Sequence, residues 1–215
     1  MKDELKILHK IIDGVIRRHE NMLSKFHPCQ PGKGEFLEQN LITNFAIEFV
    51  TKFPEANVYT EVPFQCKDKD SIKEYWKCRA DLFIINGDKG YIIEAKGSQK
   101  GEKLFELIEA DIKRINSVKN SFLKMIKDQE KFPTKMFGVI IADFWGTQKE
   151  KEKIESNQFI NRWNNNEFNE KDFPELKGIT KFPAKDLSSV SEKYPYWFLA
   201  GMFQLDWNNN FKENS

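Results

Sequence analysis

Residues 79–97 read RADLFIINGDKGYIIEAKG, two apolar β-type runs on either side of a turn. Asn86-Gly87 is a strong hairpin cue, here expected in a somewhat longer loop that includes Gly90. Side chains alternate faces along a strand, so Ile92, Glu94 and Lys96 share one face while Tyr91, Ile93 and Ala95 share the other. Asp81 stands thirteen positions before Glu94. If the two runs pair across the turn, Asp81 approaches the Glu94–Lys96 end, and three charged groups meet at one end of a sheet. A hairpin with these groups on it is an expensive construction, and it narrows both the fold and the chemistry.

The flanking segments set the fold class. Leu5, Leu8, Ile11, Ile12, Val15 and Ile16 recur at helical spacing, predicting an amphipathic helix over the first 25 residues. HPCQPGKG, at 27–34, breaks the chain, and a second helix is expected from Glu35 to the FPEAN stretch. Its buried side is assigned to Phe36, Leu37, Leu41, Phe45, Ile47, Phe49 and Val50. VYTEVPF, at 58–64, is a strand. After the hairpin, Leu104, Phe105, Ile108, Ile112 and Ile115 predict a helix from Gly101 to about Asp128. MFGVIIADFWG, at 136–146, is near-continuously apolar, as a strand buried beneath helices should be. A short helix is expected up to Trp163. ITKFPAKD reads as an edge strand because Pro183 cannot sit in a sheet centre, and YPYWFLAGMFQLDW is compatible with strand or helix. The expectation is an α/β fold, a mixed β-sheet flanked by helices. It forms one domain over 1–215, with an N-terminal helix (1–30), a core (34–146) and a C-terminal extension (147–215).

Composition adds bounds. The chain has 215 residues, 40% hydrophobic and 31% charged, enough to bury a sizeable core. A net charge of +1 gives no global field for a polyanion. Basic residues do gather locally over 113–135, where a solvated helix face is the plainer reading. Cys29, Cys66 and Cys78 show no CxxC pattern, against a disulfide framework or zinc ribbon. MKDELKILHK has no signal-peptide character, and no apolar run is long enough for a bilayer. A cytoplasmic location and no membrane partner are expected. The usual phosphate-loop, dinucleotide and serine-hydrolase motifs are missing from the sequence.

Carboxylates at a sheet end call for neutralisation, and a hard divalent cation supplies it. Mg²⁺ takes oxygen ligands, commonly one or two carboxylates plus phosphate oxygens and water. Asp81, Glu94 and the Ala95 carbonyl form a plausible partial ligand set. Lys96 beside a metal-bound water suits attack of that water on a phosphodiester. An ExK tripeptide alone is more often a surface ion pair; Asp81 ahead of it favours the convergent site.

With Asp81 in RADLFI and Glu94 and Lys96 in IIEAKG, the chain resembles the PD-(D/E)xK nuclease superfamily. GEFLEQNL upstream is similar to the first-helix motif of archaeal Holliday-junction resolvases and their relatives, through Gly34, Glu38 and Leu41. TEVPF followed by RADL looks like the family's second strand, with Ala80 where proline is often found. The resemblance spans Gly34 to Ile141. It implies a restriction-endonuclease-like αβββαβ core, Asp81 and Glu94 as Mg²⁺ ligands (Mn²⁺ substituting), Lys96 as the catalytic lysine, and Glu38 reaching the metal from the helix. Glu35, one turn earlier, is the fallback. It further implies a DNA endonuclease of restriction, repair or defence type, with RNA as a lesser substrate and a homodimer as a modest expectation. The competing reading is a non-catalytic nucleic-acid- or partner-binding module on the same fold.

Further positions are weighed singly. Lys100, Lys103, Lys113 and Arg114 follow the site and are candidates for holding substrate phosphates, against a solvated-face reading, and Gln99 is a candidate for lining the same substrate cleft. Glu61 is expected in a cross-strand surface pair. Asp111 reads as a helix-surface charge and Asp143 as a cap or turn residue. His9, His19 and His27 read as surface or packing residues, and the aromatic stretch from Tyr194 to Trp207 as core or interface.

Overall fold

The computed structural model describes residues 2–25, 35–64, 78–98, 101–116, 133–145, 163, 180–187, 189–190 and 196–205. In chain order the elements are α1 (Lys2–Lys25), α2 (Glu35–Lys52), β1 (Asn57–Phe64), β2 (Cys78–Asn86), β3 (Lys89–Ser98), α3 (Gly101–Asn116), β4 (Lys135–Trp145), β5 (Thr180–Asp186) and β6 (Tyr196–Gln204). The six strands form one sheet in the order β1-β2-β3-β4-β6-β5. β1, β2 and β3 are an antiparallel meander. β3 and β4 run parallel, joined through α3, because parallel neighbours need a long crossover. β6 and β5 add antiparallel strands beyond β4. The outcome is the expected mixed sheet flanked by helices. Thr180–Asp186 and Tyr196–Gln204, assigned by sequence to an extension, join this sheet, with β5 at its edge and β6 settling as strand.

The hairpin is tighter than expected. Asn86 pairs with Lys89, leaving Gly87 and Asp88 as the turn. Gly87 has φ +60°, a conformation that costs a Cβ-bearing residue more than glycine. Strand alternation then holds through β3. Tyr91, Ile93 and Ala95 face one core with α1 and α2, and Ile92 faces the other core with α3. At the sheet centre Gly138 lies opposite Phe203, and a Cβ on Gly138 would stand 2.3 Å from the ring.

The first core joins Leu8, Ile11, Ile12 and Val15 of α1 and Leu41, Phe45 and Phe49 of α2 to the sheet. The second joins Leu104, Ile108, Ile112 and Ile115 of α3 to Phe83, Ile92, Ile140 and Ala142. Ile47 and Val50 of α2, expected inside, are 38% and 37% exposed. The buried stripe repeats every four residues (Leu41, Phe45, Phe49), which turns Ile47 and Val50 away. The side chains of Leu5, Phe36, Leu37, Phe105 and Glu35, the helical stretch before Trp163 and any helix beyond Asn116 lie outside what is described. Glu61 meets Arg79 at 4.0 Å on the exposed side of β1 and β2, the expected surface pair. Among the described residues, no helix is long and apolar enough to cross a membrane.

Phe49 is 1% exposed and packs against Phe45, Phe53 and Tyr91. Phe49→Ala is expected to cost about 3–5 kcal/mol, whereas Ile47→Ala changes stability by no more than about 0.5 kcal/mol. Urea unfolding of the two variants measures the difference; equal losses would show that the helix face has been misassigned.

Candidate functional site

Main-chain pairing of β2 with β3 ends at Leu82↔Ile93. One step further the strands part, and the Asp81 carboxylate takes over: Ala95 N–H donates to its Oδ2 at 2.7 Å. Asp81 is thereby fixed against the segment that carries Glu94 and Lys96. The approach expected from the hairpin is present, and a side-chain acceptor fills the gap where the strands splay.

Glu94 points into the α3 side and is 1% exposed. Arg114 Nη2 lies 2.6 Å from its Oε2, while Oε1, buried, has no hydrogen-bond partner. Burial pushes the Glu94 carboxyl up, and Asp81 adds to the effect, bringing it to about 8 against the pull of Arg114 and Lys96.

Lys96 is the hub. Its Nζ lies 3.1 Å from Asp111 Oδ2, 3.8 Å from Glu38 Oε1 and 3.8 Å from Glu94 Oε2, and it donates to the Ala95 carbonyl at 3.1 Å. Burial pulls the ammonium down, but the carboxylates of Asp111, Glu38, Glu94 and Asp81 together outweigh it and hold Lys96 above its ordinary value. Glu38 reaches the site from the opposite helical layer: Gly97 N–H donates to its Oε2 at 3.3 Å. Burial raises the Glu38 carboxyl, opposed by Lys96 and the Gly97 amide.

Two residues stand differently from expectation. Asp111, read from sequence as a surface charge, is 3% exposed. It bridges Lys96 and Arg114, the latter at 2.7 Å, and burial raises its carboxyl. The signal was in the periodicity, since position 111 follows Ile108 by three and precedes Ile115 by four on the stripe that docks α3. Arg114, a candidate for holding substrate phosphate, is engaged with Glu94 and Asp111. Gln99 and Lys100, and the side chain of Lys103, lie outside what is described; Lys113 is exposed on α3.

A second polar group is buried behind the site. Asp143, expected to cap or turn, lies within β4 with no exposure, beside Gly97 in the parallel register. The Tyr196 hydroxyl donates to Asp143 Oδ2, and His19 Nε2 meets the same hydroxyl. His19, also fully buried, is a packing residue of a polar kind, whereas His9 edges onto Phe182.

Four carboxylates (Glu38, Asp81, Glu94, Asp111) thus face two cations (Lys96, Arg114), a surplus of two negative charges when all are ionised. Among the described residues, no group of three or more His, Cys, Asp or Glu side chains is arranged to hold a metal ion. The oxygen-only donors, the charge surplus and the unpartnered Glu94 Oε1 fit a hard divalent cation in chemistry. The site can order water or an anionic oxygen beside an ammonium group.

Glu94 also sets a pH dependence. Its folded pKa lies above its unfolded value, so the folded state holds the proton more tightly. That contribution is fully present below the unfolded pKa and is lost as pH rises through about 8. Stability without added divalent cation is therefore expected to fall across that window, by up to about 1.4 kcal/mol per pH unit. Denaturation midpoints from mildly acidic to mildly alkaline pH check it: Glu94→Gln flattens the slope, and an unchanged slope places the titration elsewhere. No family model, no curated protein and no solved structure matches the chain.

Proposed function

We propose that the chain is a Mg²⁺-dependent nuclease of the PD-(D/E)xK type, hydrolysing phosphodiester bonds of DNA on a restriction-endonuclease-like core. The observation that carries this reading is the meeting of Asp81, Glu94 and Lys96 at the end of β3, where the two strands part. The order α2-β1-β2-β3-α3-β4, with β3 parallel to β4, supports it. So does Glu38, which arrives from α2 at the same strand end.

In this reading Asp81, Glu94 and the Ala95 carbonyl would hold the cation, with Glu38 beside them. A bound Mg²⁺ supplies Lewis-acid stabilisation of charge on the phosphate and lowers the pKa of coordinated water. Lys96, kept as an ammonium by its carboxylate neighbours, donates to the attacking water or a phosphate oxygen and orients it. Its raised affinity for a proton weighs against general-base work and in favour of positioning and charge stabilisation. Arg114 neutralises Glu94, and substrate phosphates compete for its guanidinium.

One observation favours a second reading, a binding module without hydrolysis. Arg114 and Lys96 already meet Glu94 and Asp111, so the chain's own cations answer part of the acidic charge.

The experiment is a cleavage assay on supercoiled, linear and single-stranded DNA and on RNA, with Mg²⁺ and with EDTA, run beside Mn²⁺ calorimetry. Lys96→Ala is expected to keep the fold and metal affinity while losing at least about 100-fold in cleavage rate. Asp81→Asn and Glu94→Gln lose both cleavage and metal affinity. Cleavage that survives Lys96→Ala rules the assignment out. Nucleic-acid binding without nicking by the native chain selects the module.

A further inference from the structure

We propose that Asp111 is the positioning residue for Lys96, holding its ammonium group from α3 at the strand end where Asp81 and Glu94 meet. The contact stands on geometry alone; its catalytic consequence rests on the nuclease reading.

Three carboxylates surround Lys96 Nζ, and they are not equivalent. Asp111 Oδ2 is the nearest, an ion-pair contact at 3.1 Å without the angles of a hydrogen bond. Glu38 and Glu94 both lie further off, at 3.8 Å. Asp111 is itself pinned, because Arg114 takes its other oxygen at 2.7 Å from the same helix. The backbone beneath it is anchored by Ile108, Ile112 and Ile115, all buried against the sheet. A lysine on a four-carbon stem is free to sample many rotamers, and a charge placed by a rigid element holds one of them.

A purely structural role explains this poorly. Replacing buried ionic groups with apolar ones of similar size is often neutral or stabilising. Position 111 lies on the apolar stripe of α3, where an aliphatic residue would pack. A carboxylate there meets two cations, Arg114 at 2.7 Å and Lys96 at 3.1 Å.

Asp111→Asn keeps the size and one acceptor and removes the charge. Two readouts decide. The first is labelling of Lys96 by acetic anhydride in the folded protein, followed by mass spectrometry, with exposed Lys113 as internal reference. The Lys96/Lys113 ratio is expected to rise at least about threefold, the size of effect typical of losing one ion pair. The second is kinetic. kcat is expected to fall about 10–100-fold, as for other residues that orient an active-site group, with KM little changed. In a Lys96→Ala background the same substitution adds no further loss, because it acts through Lys96. Glu106→Gln, on the exposed face of α3, changes neither readout.

An unchanged labelling ratio, or losses that add in the double variant, overturns the inference. Should Asp111→Asn not fold, the native protein decides. A nuclear Overhauser contact between the Lys96 ε-methylene and the Asp111 β-methylene supports it, and contact with Glu38 or Glu94 alone overturns it. A labelling change in a protein that cuts nothing sinks the nuclease reading and leaves Asp111 holding Lys96.

Discussion

Glu94 buries its carboxyl group at the end of an apolar strand, and much of the surrounding construction answers the cost of charging it there. Removing a carboxylate from water costs several kcal/mol even after relaxation, whereas an exposed ion pair returns at most about 1 kcal/mol. Surface pairs such as Glu61–Arg79 therefore cannot balance it. Arg114 meets Glu94 at close range, Asp111 holds Arg114, and the docking of α3 through its isoleucines places both. The helix that closes the β3–β4 crossover and the groups that make Glu94 tolerable are the same element. A valine at position 94 would dispense with all of it, which is why the arrangement argues for a chemical task.

Asp81 illustrates how one residue serves two levels of structure. Its carboxylate stands in for a main-chain acceptor where β2 leaves β3, so the strands can diverge without abandoning the Ala95 amide. That divergence opens the space in which Glu94, Lys96 and Glu38 meet. Local backbone satisfaction and the geometry of the site are thus set by a single side chain.

Much of this was legible in the residues. Alternation in YIIEAKG placed Glu94 and Lys96 together on one face, and Asn86-Gly87 marked the hairpin that brings Asp81 near. The apolar run at 136–146 announced a covered strand. What escaped were polar residues lying on apolar stripes. Asp111 sits in register with Ile108 and Ile115, and Asp143 follows Val139 and Ile141 on one strand face. Each has a periodicity that says buried and a chemical type that says exposed. Its partners come from elements far away in sequence, so no local window reveals them. Ile47 and Val50 are the converse case, apolar residues whose helical angle takes them outward.

The link between His19 and Tyr196 spans 177 positions, whereas the strand that carries Tyr196 pairs with β4 across far shorter separations, from Trp145↔Tyr196 to Phe137↔Gln204. On the ribosome, α1 emerges long before β6 exists, with Leu8, Ile11, Ile12 and Val15 already made and little sheet to cover them. Contacts of such separation form late, since loop closure precedes any reward. α2 begins at Glu35, soon after α1 ends, and its Leu41, Phe45 and Phe49 share that apolar face, so the two helices form an early half-core that the distant strand later seals.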